Sequence, residues 1–173
     1  MAELHLDELR VLPTGQAWHK TRPLTPAHHR MAMAQLAFAD LPGLVLDDRE
    51  IRRAGPSYTL DTLRELHAEQ PGAEFFLIMG KDQADALPSW RDWQEIVSLA
   101  IICVADRDGL TGERTQFVPP LEMASRFRKL HMPVMDISAT GIRSRIASRQ
   151  DVAPLVSGAV ARYIEHHHLY PTA

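Results

Sequence analysis

A run of apolar residues, Phe75-Phe76-Leu77-Ile78-Met79, does more than any other stretch to restrict what this chain can fold into. It is short, lacks polar alternation and stops at Gly80-Lys81-Asp82. Such a run is expected of a strand covered on both faces, as in a parallel sheet flanked by helices. The residues before it agree. Leu60, Leu63 and Leu66 recur at three-residue spacing while Arg64, Glu65 and Glu69 face elsewhere, which predicts a helix with one apolar stripe. Ser57 or Thr59 can cap that helix, and Pro71-Gly72 stops it.

The same alternation runs through the whole chain. Glu8 to Pro13 reads as a short strand. Thr25-Pro26 reads as a helix start, with an N-cap oxygen and a proline at the first helical position. Met31, Ala34, Leu36 and Phe38 supply the buried side of that helix, Leu41-Pro42-Gly43 ends it, and Leu44-Val45-Leu46 begins another strand. Asp47 to Arg53 is a mixed-charge segment read as solvated. Trp93, Ile96, Val97 and Leu99 predict a helix leading into a second buried strand, Ala100 to Ala105. An irregular connection over 106–120, a short helix over Leu121–Leu130 and a last strand over Met132–Ile137, weakened by Pro133, follow. Pro154 to Leu169 closes the chain as an amphipathic helix with Val156, Val160, Tyr163 and Ile164 inward. Strands alternating with helices predict an α/β chain: a parallel sheet with helices on both faces, in a Rossmann-like fold.

Composition removes several classes of function. At 173 residues the chain suits one domain, 1–173, with enough buried surface for a real core. A content of 45% hydrophobic and 24% charged residues is globular rather than disordered. The net charge of −3 offers no basic field, so nucleic acid is not an expected partner, although a local cluster of donors can still hold a small anion. The single Cys103 lies in an apolar run and reads as a buried structural thiol. Neither a signal peptide nor a long apolar span is present, which points to the cytoplasm and away from a membrane. No Walker-type phosphate loop occurs, which argues against a P-loop nucleotidase.

Several residues could carry ligand chemistry. In an open parallel sheet, ligands bind beyond the carboxyl ends of the strands. Gly80 would let a ligand approach the backbone there, and Asp82 offers two acceptor oxygens to a pair of ribose hydroxyls. Gly-x-Asp by itself, however, is better read as a turn with a capping aspartate. Trp90, after Pro88 in the loop Leu87–Arg91, can stack on a flat ring or pack in the core, and the sequence favours neither. Ser138-Ala139-Thr140-Gly141-Ile142-Arg143 opens a helix, whose free N–H groups, hydroxyls and rigid guanidinium fork suit a phosphate. Taken alone it is also an ordinary capped helix with an exposed arginine. The loop 14–24 carries Trp18, His19, Lys20 and Arg22, either as a cationic lining or as a solvated loop. His28-His29 and His166-His167-His168 are consecutive and project around their helices, so no metal site is expected from them.

SYTLDTL at 57–63, FFLIMGKDQ at 75–83 and LPSWRDW at 87–93, in that order and at those separations, closely resemble bacterial nicotinate-nucleotide adenylyltransferases. ISATGIRSRI at 137–146 resembles that family's ATP-phosphate motif, VARYIEHHHLY at 160–170 its closing helix, and VLPTGQAWHK at 11–20 the segment after its second strand. The resemblance thus spans essentially the whole chain.

It implies a nucleotidyltransferase fold and a reaction in NAD biosynthesis. The 5′-phosphate of nicotinate mononucleotide attacks the α-phosphate of ATP, giving deamido-NAD and pyrophosphate. The implied roles are nicotinate carboxylate binding by Thr59 and the backbone N–H of Arg91, with Trp90 stacked on the ring. Gly80 and Asp82 would hold ribose. Ser138, Thr140 and Arg143 would hold the ATP phosphates, assisted by Lys20; Lys20 and Arg143 are the candidate catalytic cations. Magnesium is implied as the counter-ion of ATP, without a protein metal cage. A homo-oligomer is left open.

The family also opens with a strand and a Gly-Gly-x-Phe-x-Pro-x-His-x-Gly-His loop, which this sequence lacks. The first, central strand is then expected to be missing, about 25 residues with its crossover helix. Strands at 8–12 and 75–79 would have to pair, borrow a strand from a partner or stay loosely packed. Adenylyl transfer is expected to be very weak as the chain stands and to return when the segment is restored. The alternatives are a catalytically impaired nucleotide-binding domain, or a related adenylyltransferase acting on another phosphorylated substrate such as phosphopantetheine.

Overall fold

The computed structural model describes residues 3–16, 24–107, 118–133 and 137–171. In chain order the elements are β1 (Leu9–Val11), α1 (Ala27–Phe38), β2 (Leu44–Leu46), α2 (Arg49–Arg52), α3 (Thr59–Glu69), β3 (Phe76–Gly80) and α4 (Lys81–Ala86). They continue with α5 (Trp93–Leu99), β4 (Ile101–Arg107), β5 (Phe127–Met132), α6 (Ala139–Ala147) and α7 (Gly158–His166). The chain divides into two compact units, Ser57–Met135 and Met1–Pro56 with Asp136–Ala173. All pairing between named strands is parallel, as the alternation of strands and helices predicts.

The unit Ser57–Met135 holds a three-stranded sheet in the order β3-β4-β5. Phe76 lies opposite Ile101, and Ile102 opposite Phe127. The predicted leucine stripe is real: Leu60, Leu63 and Leu66 of α3 are buried. Leu60 and Leu63 join Met79, Leu87, Ile96, Val97 and Ile102 in one core cluster. Cys103 is fully buried in β4.

Other details depart from the sequence pattern. β3 is an edge strand shifted by one residue, and Ile78 is 42% exposed, so this apolar run is not covered on both faces. The helix expected over Leu121–Leu130 is a 3-10 turn, Leu121–Arg126, followed by β5. Leu130 is the one buried residue of β5, and the polar Arg128, Lys129 and His131 around it erase the alternation that marks a strand. The last strand therefore comes earlier than Met132–Ile137, of which 134–136 lie outside the described residues. Neither Ser57 nor Thr59 caps α3, whose N-cap position is Tyr58, without a side-chain cap.

In the other unit, β1 and β2 form a two-stranded sheet, Leu9 opposite Leu44 and Val11 opposite Leu46. The backbone N–H of Asp47 extends that pairing to the Val11 carbonyl at 3.0 Å. Asp47 is itself buried, a correction to the solvated reading of 47–53. Its carboxylate meets Arg49 Nε at 2.7 Å, the Arg49 N–H at 3.0 Å and Arg10 at 3.2 Å. Burial alone would raise its pKa, but these bonds and the Arg49 charge together hold it below the ordinary carboxylate value.

α1 starts one residue later than expected, with Pro26 at the N-cap position, and the Thr25 hydroxyl donates to Tyr170 instead of capping the helix. α1 packs on α7, where His29 Nδ1 and the Tyr163 hydroxyl lie 2.9 Å apart. α7 starts at Gly158 under a Ser157 cap, since Val152–Val156 is taken up by a turn.

Candidate active site

α3 leads directly into β3, and α5 directly into β4. α3 packs on α5, and α4 packs on both β3 and β4. Thr59 is the first residue of α3. Gly80 closes β3 and stands at the N-cap of α4, where a Cβ would meet nothing within 4 Å. Its backbone is ordinary, so its value there is open space rather than conformational freedom. Asp82 is exposed in the first turn of α4.

Leu87–Ser89 forms a 3-10 turn closed by the Trp90 N–H on the Leu87 carbonyl at 2.9 Å. Trp90 is half-buried with part of its surface against the core cluster, so packing and ring-stacking roles are compatible in one side chain. Asp92 then takes a left-handed backbone, φ 48°, which turns the loop into α5. That conformation is costly for a residue with a Cβ and recurs at ligand-binding loops.

Charge links this loop to α3. The Arg91 guanidinium lies 5.1 Å from the centre of the Tyr58 ring and 3.9 Å from the Asp61 carboxylate. One helical turn further on, Arg64 closes both arms of its fork on Glu95, each at 2.7 Å. Hydrogen bonding from Arg64 holds Glu95 below the ordinary carboxylate value, and the same bonds raise Arg64. The sequence did not reveal Tyr58, Asp61 or Arg64 as partners of this loop, because about thirty residues separate the two sides.

The phosphate motif lies in the other unit and is built locally. Ser138 caps α6 by accepting the Gly141 N–H at 3.0 Å. A hydroxyl that accepts still has its own hydrogen to donate outward. A Cβ on Gly141 would stand 3.1 Å from that Ser138 oxygen, closer than an ordinary contact, so a side chain there would press on the capping hydroxyl. Arg143 donates to the Thr140 hydroxyl at 3.1 Å, so these two candidates are brought together. Lys20 lies outside the described residues, as do Trp18, His19 and Arg22. Among the described residues no group of three or more His, Cys, Asp or Glu side chains could hold a metal ion, and no helix is long and apolar enough to cross a membrane.

Parallel sheets with helices and a Ser-x-Thr-x-x-Arg helix start are features of a nucleotidyltransferase of Rossmann-like fold. The Cytidylyltransferase-like family model matches residues 1–145. A probable nicotinate-nucleotide adenylyltransferase of Albidiferax ferrireducens is 64% identical over 173 residues, covering 100% of this chain and 87% of the relative. One from Methylibium petroleiphilum is 43% identical over 174 residues, covering 96% and 80%. A solved Plasmodium falciparum nicotinic acid mononucleotide adenylyltransferase, complexed with NaAD, shares the fold at TM-score 0.70 and 16% identity, covering 95% of this chain and 83% of that one. The chain belongs to the nicotinate-nucleotide adenylyltransferases.

Proposed function

We infer that this chain transfers the adenylyl group of ATP to nicotinate mononucleotide, forming deamido-NAD and releasing pyrophosphate. The observation that carries this is 64% identity along the whole chain to a relative named for that reaction. The residue roles are those the family resemblance implies, and the helix starts and the loop supply the donors they call for. The Thr59 hydroxyl and the Arg91 N–H bind the nicotinate carboxylate, and Trp90 stacks on the pyridine ring. Gly80 and Asp82 take the ribose. Ser138, Thr140 and Arg143 hold ATP phosphates, with Lys20 as a further cation. Magnesium, as the counter-ion of ATP, would supply further neutralisation of phosphate charge, while Ser138, Thr140 and Arg143 hold the phosphates themselves. Such a transfer needs little covalent help from the protein. It needs alignment and neutralisation of spreading negative charge, which hydroxyls, N–H groups and guanidinium forks provide. The cytoplasm is the compartment that suits a free buried thiol and nucleotide substrates.

Acid and amide are distinguished because donors aimed at a carboxylate lose their charged partner when an amide takes its place. Calorimetry with nicotinate mononucleotide, nicotinamide mononucleotide and pantetheine phosphate tests the reading. The acid nucleotide is expected to bind most tightly. Equal binding of acid and amide, or tighter binding of pantetheine phosphate, overturns it.

A further inference from the structure

We propose that the Arg91 side chain, and not only its backbone N–H, sets the preference for an acid over an amide, by neutralising the Asp61 and Asp92 carboxylates around the ring-substituent site. This inference rests on the assignment of Thr59 and Trp90 to the pyridine nucleotide.

Its basis is a difference between two arginines. Arg64 spends its fork on Glu95, with both bonds at 2.7 Å. Arg91 instead sits 3.9 Å from Asp61 and 3.6 Å from Asp92, distances that make ion pairs but not hydrogen bonds. The Tyr58 ring face fixes the guanidinium from another side, at 5.1 Å. Tyr58 and Asp61 bracket Thr59 in sequence, while Trp90 and Asp92 bracket Arg91. The side chain therefore joins the two segments assigned to the pyridine ring.

The charge balance gives the arrangement its consequence. Arg64 and Glu95 cancel each other. Asp61 and Asp92 together outweigh Arg91 by one negative charge, so the surroundings of Thr59 are already unfavourable to an anion. Without Arg91 two carboxylates would face an incoming third at close range, and like charges at such distances disfavour binding. An uncharged carboxamide would feel little of this. Arg91 is 53% exposed, Asp61 33% and Asp92 60%, so solvent screens these pairs and they add little stability; what they set is the balance of charge at the loop.

The test measures affinity for nicotinate mononucleotide and nicotinamide mononucleotide by calorimetry on the full chain. The variants are Arg91→Gln, Arg91→Lys and Arg91→Gln combined with Asp61→Asn. Arg91→Gln should lower the acid-over-amide preference about tenfold, the size of one lost charge-assisted contact, with amide affinity nearly unchanged. Arg91→Lys should keep most of the preference, and Asp61→Asn should restore part of it to the Gln variant. Equal weakening of both nucleotides by Arg91→Gln means a purely structural role and overturns the inference. So does a wild-type preference that Arg91→Gln leaves intact. A wild-type chain that binds neither nucleotide overturns the functional reading and this inference with it.

Discussion

In the unit Ser57–Met135, Leu60, Leu87, Ile96 and Ile102 are at most 1% exposed and belong to one apolar cluster. In the other unit α1 and α6 bury no residue fully, and the buried apolar side chains among the described residues are Val152, Val160 and Ile164. Polar contacts take a larger share there: Asp47 with Arg10 and Arg49, Arg30 on the Thr25 carbonyl at 2.9 Å, and His29 on Tyr163. The ligand chemistry assigned to each unit matches this contrast. In the proposed function, stacking by Trp90 and the placing of Thr59 beside the Arg91 N–H rely on helices held in place by a core. The Ser138, Thr140 and Arg143 donors sit within two helical turns of one another and need only their own helix.

The contrast can be broken by substitution. Leu60→Ala should have the largest effect, about 3–5 kcal/mol, since it leaves a cavity in a site with no solvent to fill it. A melting temperature within a few degrees of wild type would show that this core does not carry its unit. Asp47→Ala should cost about 3 kcal/mol, because Arg10 and Arg49 lose the carboxylate they share and keep much of their desolvation. Asp47→Asn should cost less, and an Asp47→Ala protein as stable as wild type would remove the polar account of that unit.

Trp90→Ala should weaken nicotinate mononucleotide by about 1–3 kcal/mol, the scale of aromatic–base stacking. Unchanged affinity with a lower melting temperature would make Trp90 a core residue only.

The smallest effect concerns pH. Desolvation, with help from the neighbouring His28 and His167, holds His29 below the ordinary histidine value of 6.5. The unfolded chain then binds this proton more readily, so stability should decline as pH falls through 6.5 and level off below the folded value. His29→Asn should flatten the decline, and an unaltered slope would assign it to other groups.

What the sequence disclosed follows the same division between local and distant contacts. The α3 stripe, the Cys103 strand and the Ser138 cap each depend on residues a few positions apart, and all were legible. β5 was not, because its pairing to β4 is long-range and only Leu130 inside it is buried. The charged run at 47–53 misled for a related reason. Asp47 is buried, and one of its partners, Arg10, is far away in sequence on the neighbouring strand. In the candidate site the ligand roles of Thr59, Asp82, Trp90 and Arg143 came from the family resemblance, since their residue types alone read equally well as caps, core and exposed charge. The Tyr58–Arg91–Asp61 contacts appear only once α3 and the loop before α5 are folded together.

The central claim is that the pyridine nucleotide is recognised by the unit Ser57–Met135 and the ATP phosphates by the start of α6. Amide proton–nitrogen NMR spectra of the labelled chain, titrated separately with nicotinate mononucleotide and with magnesium ATP, test it most directly. The acid nucleotide should shift the amides of Thr59, Trp90 and Arg91 and the Trp90 indole, and ATP those of Thr140, Gly141 and Ile142. Shifts from the acid nucleotide that leave Thr59, Trp90 and Arg91 untouched would contradict the account.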